Sequence, residues 1–449
     1  MIAPARIAAY EALLAVETGR ADLPHALARS RDNLPDERDR ALAGEIATGT
    51  LRWQAAFDHI IASFSSRPLA KLDREVLVIA RLTMFQLLHL DRVPASAAVN
   101  DAVSLTRKAG KKSAAPLMNA LLRRVSRERQ RLPLPPRADF RDDPDAALDY
   151  LATTLSHPRW LVARWLDRYG FEAAEAWARF NNAAAALTLR ANRLKTTRGE
   201  LMEGLLNAGV ETIPTQLSPD GLIVRHGNPL RSSVAGSGTF VVQEEASQLV
   251  TLMTQVGPGE TVLDACASPG GKTTAMAADM NDTGLIVASD VRDRRIDLLR
   301  QTVAASGATN IGIVQADASR PLPFGAVFDC VLLDAPCSGL GTLRRDPDLK
   351  WRRREADFPA LQTLQRALLR EVAAVLKPGG RLVYSTCSSE PEENETVVRE
   401  FSAESGWRVV RPDGLPAPIA TLIGEEGFLR TYPFRDGVEA FFAAVLRRG

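Results

Sequence analysis

Two segments of this chain end in a thiol set among hydroxyls: Asp334-Ala335-Pro336-Cys337-Ser338-Gly339 and Tyr384-Ser385-Thr386-Cys387-Ser388. A free cysteine is only a few per cent thiolate at neutral pH but is intrinsically strongly nucleophilic. A pyrimidine ring is a fitting target. Thiolate addition at carbon 6 pushes electron density to carbon 5, which can then take a methyl group from a sulfonium. A carboxylate such as Asp334 can bond the ring nitrogen and stabilise the charge that develops. The second thiol, or a nearby base, can assist loss of the carbon-5 proton and release of the enzyme. Spacing alone does not decide which thiol attacks. The competing reading, two small buried hydrophobes, fits poorly with their Pro/Ser/Thr turns. It fits Cys330 well, inside Phe328-Asp329-Cys330-Val331.

A methyl donor needs its own site. The turn Cys266-Ala267-Ser268-Pro269-Gly270-Gly271-Lys272-Thr273 follows a strand-like run and opens a helix. Its adjacent glycines let backbone approach a ligand, and a helix N-terminus favours negative charge. It lacks the first glycine of GxxxxGK[ST] and is not GxGxxG, so nucleotide-hydrolysis and dinucleotide readings weaken. The carboxylate of S-adenosylmethionine suits the same turn. Asp290, about 20 residues on, has the spacing of an acid that takes ribose hydroxyls. Asp317 can accept from an adenine amino group. The alternative for both acids is helix capping.

These residues need a sheet to bring them together. From residue 240, apolar runs at Thr261–Cys266, Leu285–Asp290, Ile311–Asp317, Phe328–Asp334 and Arg381–Cys387 alternate with helical stretches. That pattern predicts a parallel α/β sheet, which Trp407–Arg411 and Glu439–Arg447 would extend to seven strands. Each of the first five runs ends in a carboxylate, a thiol or both, at the edge where such sheets bind ligands.

Before it, residues 1–130 read as a helical bundle with breaks at Asn33–Pro35, Ser66–Pro68 and Arg92–Pro94. Residues 131–149, with Leu132-Pro133-Leu134-Pro135-Pro136-Arg137, read as a Pro-rich linker. Residues 150–235 read as a small α+β domain, helical to 182 and then mixed, and 236–449 as the α/β catalytic domain. The fold class expected is therefore multidomain: all-α, α+β, then Rossmann-like α/β.

Composition narrows the classes further. The chain has 449 residues, 45% hydrophobic and 24% charged, with four cysteines, all after residue 265 and none in a CxxC pair. Zinc ribbons and disulfide scaffolds are thereby excluded, and no metal site is expected. No signal peptide or long apolar run is seen, so a cytoplasmic protein without membrane contact, monomeric, is expected. The net charge of +2 hides an asymmetry: residues 1–130 carry +6 and residues 236–449 carry −5. Arg107, Lys108, Lys111, Lys112, Arg123, Arg124, Arg127, Arg129 and Arg131 face one acid, Glu128. Such a tract can hold a phosphate backbone or be a solvated face. Arg344, Arg345, Lys350, Arg352, Arg353 and Arg354 form a second basic run after the Pro-Cys segment. It suits an RNA strand or a solvated helix, and Trp351 within it can stack on a base or anchor the segment.

Together these motifs resemble the RNA cytosine-carbon-5 methyltransferases of the bacterial Sun/Fmu (RsmB/NOP/NSUN) type. Gln243-Glu244-Glu245-Ala246-Ser247, Asp348-Leu349-Lys350-Trp351 and Pro391-Glu392-Glu393-Asn394-Glu395 add to the likeness. Gly49-Thr50-Leu51-Arg52 and Met118-Asn119-Ala120-Leu121-Leu122-Arg123 are similar to the NusB-like RNA-binding domain fused to that family. Asp346 and Val438-Glu439 depart from the usual pattern. The resemblance implies Cys387 as nucleophile and Cys337 as the thiol that assists adduct resolution. It implies Cys266, Ala267, Ser268, Pro269, Gly270, Gly271, Lys272, Asp290, Asp317 and Asp334 as S-adenosylmethionine contacts, with Lys272 and Asp334 also in the catalytic set. The implied substrate is a cytosine of 16S rRNA. Two rivals remain at this stage: DNA cytosine methylation with Cys337 as nucleophile, and a non-catalytic NusB-type antitermination factor.

Overall fold

The computed structural model describes residues 2–65, 67–138 and 140–449, so Ser66 of one expected break and Asp139 of the linker lie outside the described residues. The chain forms two compact units, one reaching Ala184 and including Leu343–Arg353, the other holding the remainder. The boundary at Ala184 falls within the 150–235 segment.

The first unit opens with helices α1 (Pro4–Glu17), α2 (Leu23–Arg31), α3 (Glu37–Arg52), α4 (Gln54–Phe64), α5 (Arg74–His89), α6 (Ala95–Lys108) and α7 (Ala115–Arg127). Asp22 and Asp36 cap α2 and α3 by accepting from His25 N and Arg38 N. Helix α5 is buried at every position from Val76 to Gln86, so it is the centre of the bundle. Its polar residues are satisfied there. Arg81 donates to both carboxylate oxygens of Asp58 and to Glu17, and Arg6 donates to Gln86 Oε1 at 2.7 Å. Helix α7 buries Met118, Leu121, Leu122 and Val125 and turns Arg123, Arg124 and Arg127 outward. Of the expected basic tract, Lys111 is engaged by Asp73 and Glu75, whereas Arg107, Lys108, Lys112, Arg129 and Arg131 are exposed. The Pro-rich stretch is strapped down: Arg137 pairs with Glu172 and Glu175, and Thr154 donates to Pro135 O. Helices Arg159–Tyr169 and Phe171–Asn182 meet through stacked Trp165 and Trp177, 4.5 Å apart.

The segment Leu343–Arg353 corrects an expectation. Lys350 is fully buried and donates to Asn182 Oδ1 at 2.7 Å, Ser156 O at 3.2 Å and Arg52 O at 3.3 Å. Trp351 donates through Nε1 to Leu51 O at 2.7 Å, and buried Asp348 accepts from Leu23 N and Arg352. Neither an RNA-facing patch nor a solvated face describes these residues. Lys350 and Trp351 form a peg in the first unit, because acceptors at the helix ends there need donors that a short apolar segment lacks. Burial, and then the charge of Arg52, push the Lys350 ammonium well below the ordinary lysine range.

The second unit begins with strands β1 (Thr188–Ala191), β2 (Glu211–Pro214), β3 (Gly221–His226) and β4 (Phe240–Val242), an antiparallel sheet of order β2-β3-β1-β4 under helix Arg198–Asn207. A Thr197/Glu200 capping box starts that helix. Strand β2 is largely exposed and edge-placed, so it carries little of the apolar alternation that reveals β1 and β3.

The larger sheet is built from β5 (Thr261–Asp264), β6 (Leu285–Asp290), β7 (Ile311–Gln315), β8 (Phe328–Asp334), β9 (Leu376–Thr386), β10 (Trp407–Val410), β11 (Leu429–Arg430) and β12 (Phe442–Arg448). Its order is β10-β12-β9-β8-β5-β6-β7. Strands β5 to β9 pair in parallel and β12 returns antiparallel to β9. The seven expected strands are present, and β11, two residues pairing with β12, is an eighth among the described residues. Helices cover both faces, and two apolar clusters, one around Leu263, Val331 and Leu382, the other around Val262, Leu332 and Val383, fill the spaces beneath them. Among the described residues no helix is long and apolar enough to cross a membrane.

Removing the Lys350 side chain leaves one buried and two part-buried acceptors without this donor and opens a cavity. Lys350→Ala is therefore expected to lower unfolding free energy by about 2–5 kcal/mol. Calorimetric melting checks this; a Tm within about 1 °C of wild type would show that the peg contributes little.

Candidate active site

The carboxyl ends of β5, β6, β8 and β9 converge, as an open parallel sheet requires. The turn after β5 leads into helix Gly271–Asp279. Gly270 sits there with φ +102°, and a Cβ on it would lie 2.8 Å from Leu299 Cδ1, so only glycine fits. The helix start is braced from the small sheet. Buried Arg190 of β1 donates to Gln243 Oε1, Gly271 O and Thr274 Oγ1. Burial lowers this guanidinium to about 10. Nothing in the sequence reading pointed to Arg190, since the strand-like run holding it read as structural.

Two cavities flank this turn. One, about 190 Å³, is lined by Gln243, Asp264, Cys266, Ala267, Ser268, Pro269, Gly271, Lys272, Thr302 and Asp334. The other, about 210 Å³, is lined by Cys266, Asp290, Arg295, Asp317, Ser319 and Pro336. Gly270 shapes the turn from behind. All the expected cofactor residues except Gly270 line one or other cavity, and Gln243, Ser247 and Thr302 join them.

The acids at these cavities differ in what they have free. Asp264 Oδ2 accepts from Thr273 at 2.7 Å, while its buried Oδ1 has no partner. Burial pushes this carboxyl up to about 7. Asp290 uses Oδ1 to accept from Val291 N and Arg292 N, and its buried Oδ2 makes no hydrogen bond, with Arg295 at 3.6 Å. The helix that follows, Asp293–Ser306, has Arg292 at its N-cap without a side-chain bond, so Asp290 holds the turn and not the helix end. Asp317 commits Oδ1 to Ser319 N and Oγ and pairs with Arg320. Burial, with the charges of Asp290 and Asp264, pushes the Cys266 thiol far up.

Register brings the other groups together. Asp334 of β8 is opposite Ser385 of β9. Ser385 Oγ donates to Asp334 Oδ1 at 2.8 Å, and Lys272 Nζ donates to Oδ2 at 2.6 Å. Burial would lower the Lys272 ammonium, but the charge of Asp334 and this bond hold it above its ordinary range. Beyond the strand ends, Cys337 Sγ and Cys387 Sγ lie 3.3 Å apart. The bond to Cys387, and then burial, keep the Cys337 thiol well above its usual range. Gly341 N donates to Cys387 O at 2.9 Å, and a Cβ on Gly341 would lie 2.0 Å from Ala440 O. Cys330 is in the core, its thiol pushed up to about 12 by burial.

Comparison with known proteins places the chain in a family. Residues 251–447 match the model of the 16S rRNA methyltransferase RsmB/F family, 3–127 the NusB family and 157–231 the RsmF/B-like ferredoxin-like domain. Ribosomal RNA small subunit methyltransferase B of Pseudomonas putida is 35% identical over 403 residues, 89% of each chain. That of Vibrio cholerae is 32% identical over 456 residues, covering 99% of this chain and 97% of its own.

The chain belongs to the RsmB/F methyltransferase family.

The crystal structure of PH0851 shares 28% identity and a TM-score of 0.82, with 100% of this chain and 99% of that one covered. A methyltransferase homologue from Pyrococcus horikoshii shares 29% identity at a TM-score of 0.57, over 67% of this chain and 98% of its own. An RsmB/F protein is S-adenosylmethionine-dependent, and the residues here fit that cofactor. Asp264 Oδ1 and Asp290 Oδ2, both buried at these cavities, make no hydrogen bond and are available to a ligand's donors, with the Arg295 guanidinium 3.6 Å from Asp290 Oδ2.

Asp290 is the acid expected to take the ribose hydroxyls, and its loss would then remove a charge-assisted bond. Asp290→Ala is expected to weaken S-adenosylmethionine binding about 10- to 100-fold, measured by calorimetric titration. An unchanged Kd would remove Asp290 from the site.

Proposed function

We propose that this RsmB/F-family protein methylates carbon 5 of a cytosine in 16S rRNA through a covalent Cys387–pyrimidine adduct. The carrying observation is the meeting of two thiols 3.3 Å apart beside the Lys272–Asp334 pair, which lines the cavity at the helix start. S-adenosylmethionine, when bound, supplies an electrophilic methyl group and becomes a neutral thioether on losing it.

The residues divide the remaining work. Either sulfur can donate in the contact between them; in this reading Cys337 keeps its S–H and points it toward Cys387, while the Lys272 ammonium supplies positive charge on the attacking sulfur's side. The Cys387 thiolate forms a carbon–sulfur bond at carbon 6, and the ring's electron pair moves to carbon 5. Asp334, oriented by Ser385 and Lys272, accepts from the exocyclic amino group beside the ring nitrogen and so holds the base for attack. After carbon 5 is methylated, its proton leaves to a base assisted by Cys337. The carbon–sulfur bond then breaks and returns the electron pair to Cys387. The target base must leave any stack to reach the thiols. The exposed arginines and lysines of α6 and α7 and the stretch after them give an RNA backbone its electrostatic footing. A mechanism needing two reduced thiols fits a reducing compartment, the cytoplasm, and one chain holding every group named fits action as a monomer.

Cys387→Ser is expected to abolish methyl transfer from labelled cofactor to 16S rRNA; full retention would sink the assignment. Cys337→Ser is expected to accumulate an RNA–protein adduct that survives denaturing electrophoresis, and absence of any adduct under turnover conditions would count against a resolving role. Mapping 5-methylcytosine in small-subunit rRNA with and without the protein identifies the base.

A further inference from the structure

Beyond the reacting groups, one buried carboxylate holds both thiol segments. Glu393 is fully buried, in the 3-10 turn after β9. Its Oε1 accepts from Ser338 N at 2.7 Å and Gln365 Nε2 at 3.1 Å. Its Oε2 accepts from Ser338 Oγ and Ser388 Oγ, each at 2.5 Å. Ser338 directly follows Cys337, and Ser388 directly follows Cys387. One side chain thus grips the two residues adjacent to the two thiols, and Tyr384 Oη donates to its backbone carbonyl at 2.6 Å.

We propose that Glu393 is the positioning residue that sets the roles of the two thiols: it fixes their separation through Ser338 and Ser388, and its charge assigns the proton to Cys337. This rests on the two-cysteine reading above. A rigid carboxylate spanning both segments holds the sulfurs in one arrangement, and side chains that share a buried network move together. The charge acts unequally. Cys387, Glu393 and Tyr384 are titratable neighbours of Cys337, and Glu393 is among the groups that raise its thiol. Lys272 instead faces Cys387 and is paired to Asp334. A negative group on one thiol and a positive group near the other separate a pair that otherwise shares a proton.

Two substitutions separate charge from reach. In Glu393→Gln the amide oxygen can keep Ser338 N and Gln365, while the amide NH2 can donate to the two serine hydroxyls, which rotate to accept. Geometry is kept and charge is lost. Glu393→Asp keeps the charge but is one methylene too short to hold both serines. The full-length protein, without RNA, is alkylated with iodoacetamide across a pH series, and each cysteine is followed by peptide mass spectrometry. In Glu393→Gln the Cys337 midpoint should fall by about one pH unit, a roughly tenfold faster alkylation below it, with Cys387 moving less. In Glu393→Asp that midpoint should stay near wild type while kcat falls roughly ten- to hundredfold at unchanged KM for S-adenosylmethionine. An unmoved Cys337 midpoint in Glu393→Gln that still binds the cofactor overturns the proposal, as does wild-type kcat in Glu393→Asp. Should the Gln variant fail to bind cofactor, the Asp variant's kcat decides. The alkylation series uses no RNA, so its outcome stands apart from whether Cys387→Ser sinks the cytosine reading.

Discussion

Strands β8 and β9 lie side by side and parallel, with Asp334 opposite Ser385, and the chemistry of this protein depends on that pairing. Parallel neighbours send their chains out at the same edge of the sheet. Cys337 is three residues past Asp334 and Cys387 two past Ser385, so both segments turn within a few ångströms of each other. A slip of one residue in either strand would turn its side chains to the opposite face and separate the sulfurs. The apolar clusters on both faces of the sheet therefore do more than stabilise it: they specify a register, and the register specifies the site.

That edge is also electrostatically sorted. Asp264, Asp290 and Asp334 are gathered where the sheet opens, and the cationic sulfonium of the cofactor suits such a surrounding. Lys272 is held among them by Asp334, which keeps an ammonium beside the thiols without leaving it unpaired in a buried place. The domain's charge of −5 and the first 130 residues' charge of +6 thus have separate meanings, one for the cofactor, the other for a polyanion. The overall +2 conveys neither.

Much of this was legible in the sequence. Five strand-like runs ending in Asp or Cys, in a βα alternation, gave the sheet and its functional edge, and β6 and β8 begin and end where their apolar runs do. Cys330 was separable from Cys337 and Cys387 because it sits within such a run. What the pattern hid has physical causes. Strand β2 is an exposed edge and β4 is three residues long, so neither shows strong alternation. The run Arg344–Arg354 reads as a basic surface because charge is visible in sequence and burial is not; Lys350 proves to be a fully buried peg because two backbone carbonyls and the Asn182 side chain, distant in the chain, receive it. Arg190 escaped notice for the same reason, its partners lying 53 to 84 residues away, and Glu393, though part of a quoted motif, showed no role because its Ser338 partner lies 55 residues away.

The sequence by itself determined which side chains stand at strand ends, because a two-residue period and the β-to-α switch are local properties of the chain. It determined too that the thiols sit on polar turns and that a glycine pair opens a helix. Only the tertiary structure decided how close the thiols come, which oxygens of Asp264 and Asp290 remain free, and which buried groups hold the site together. Those are matters of distance between segments remote in sequence, set by packing and hydrogen-bond satisfaction across the whole unit, and no local pattern encodes them.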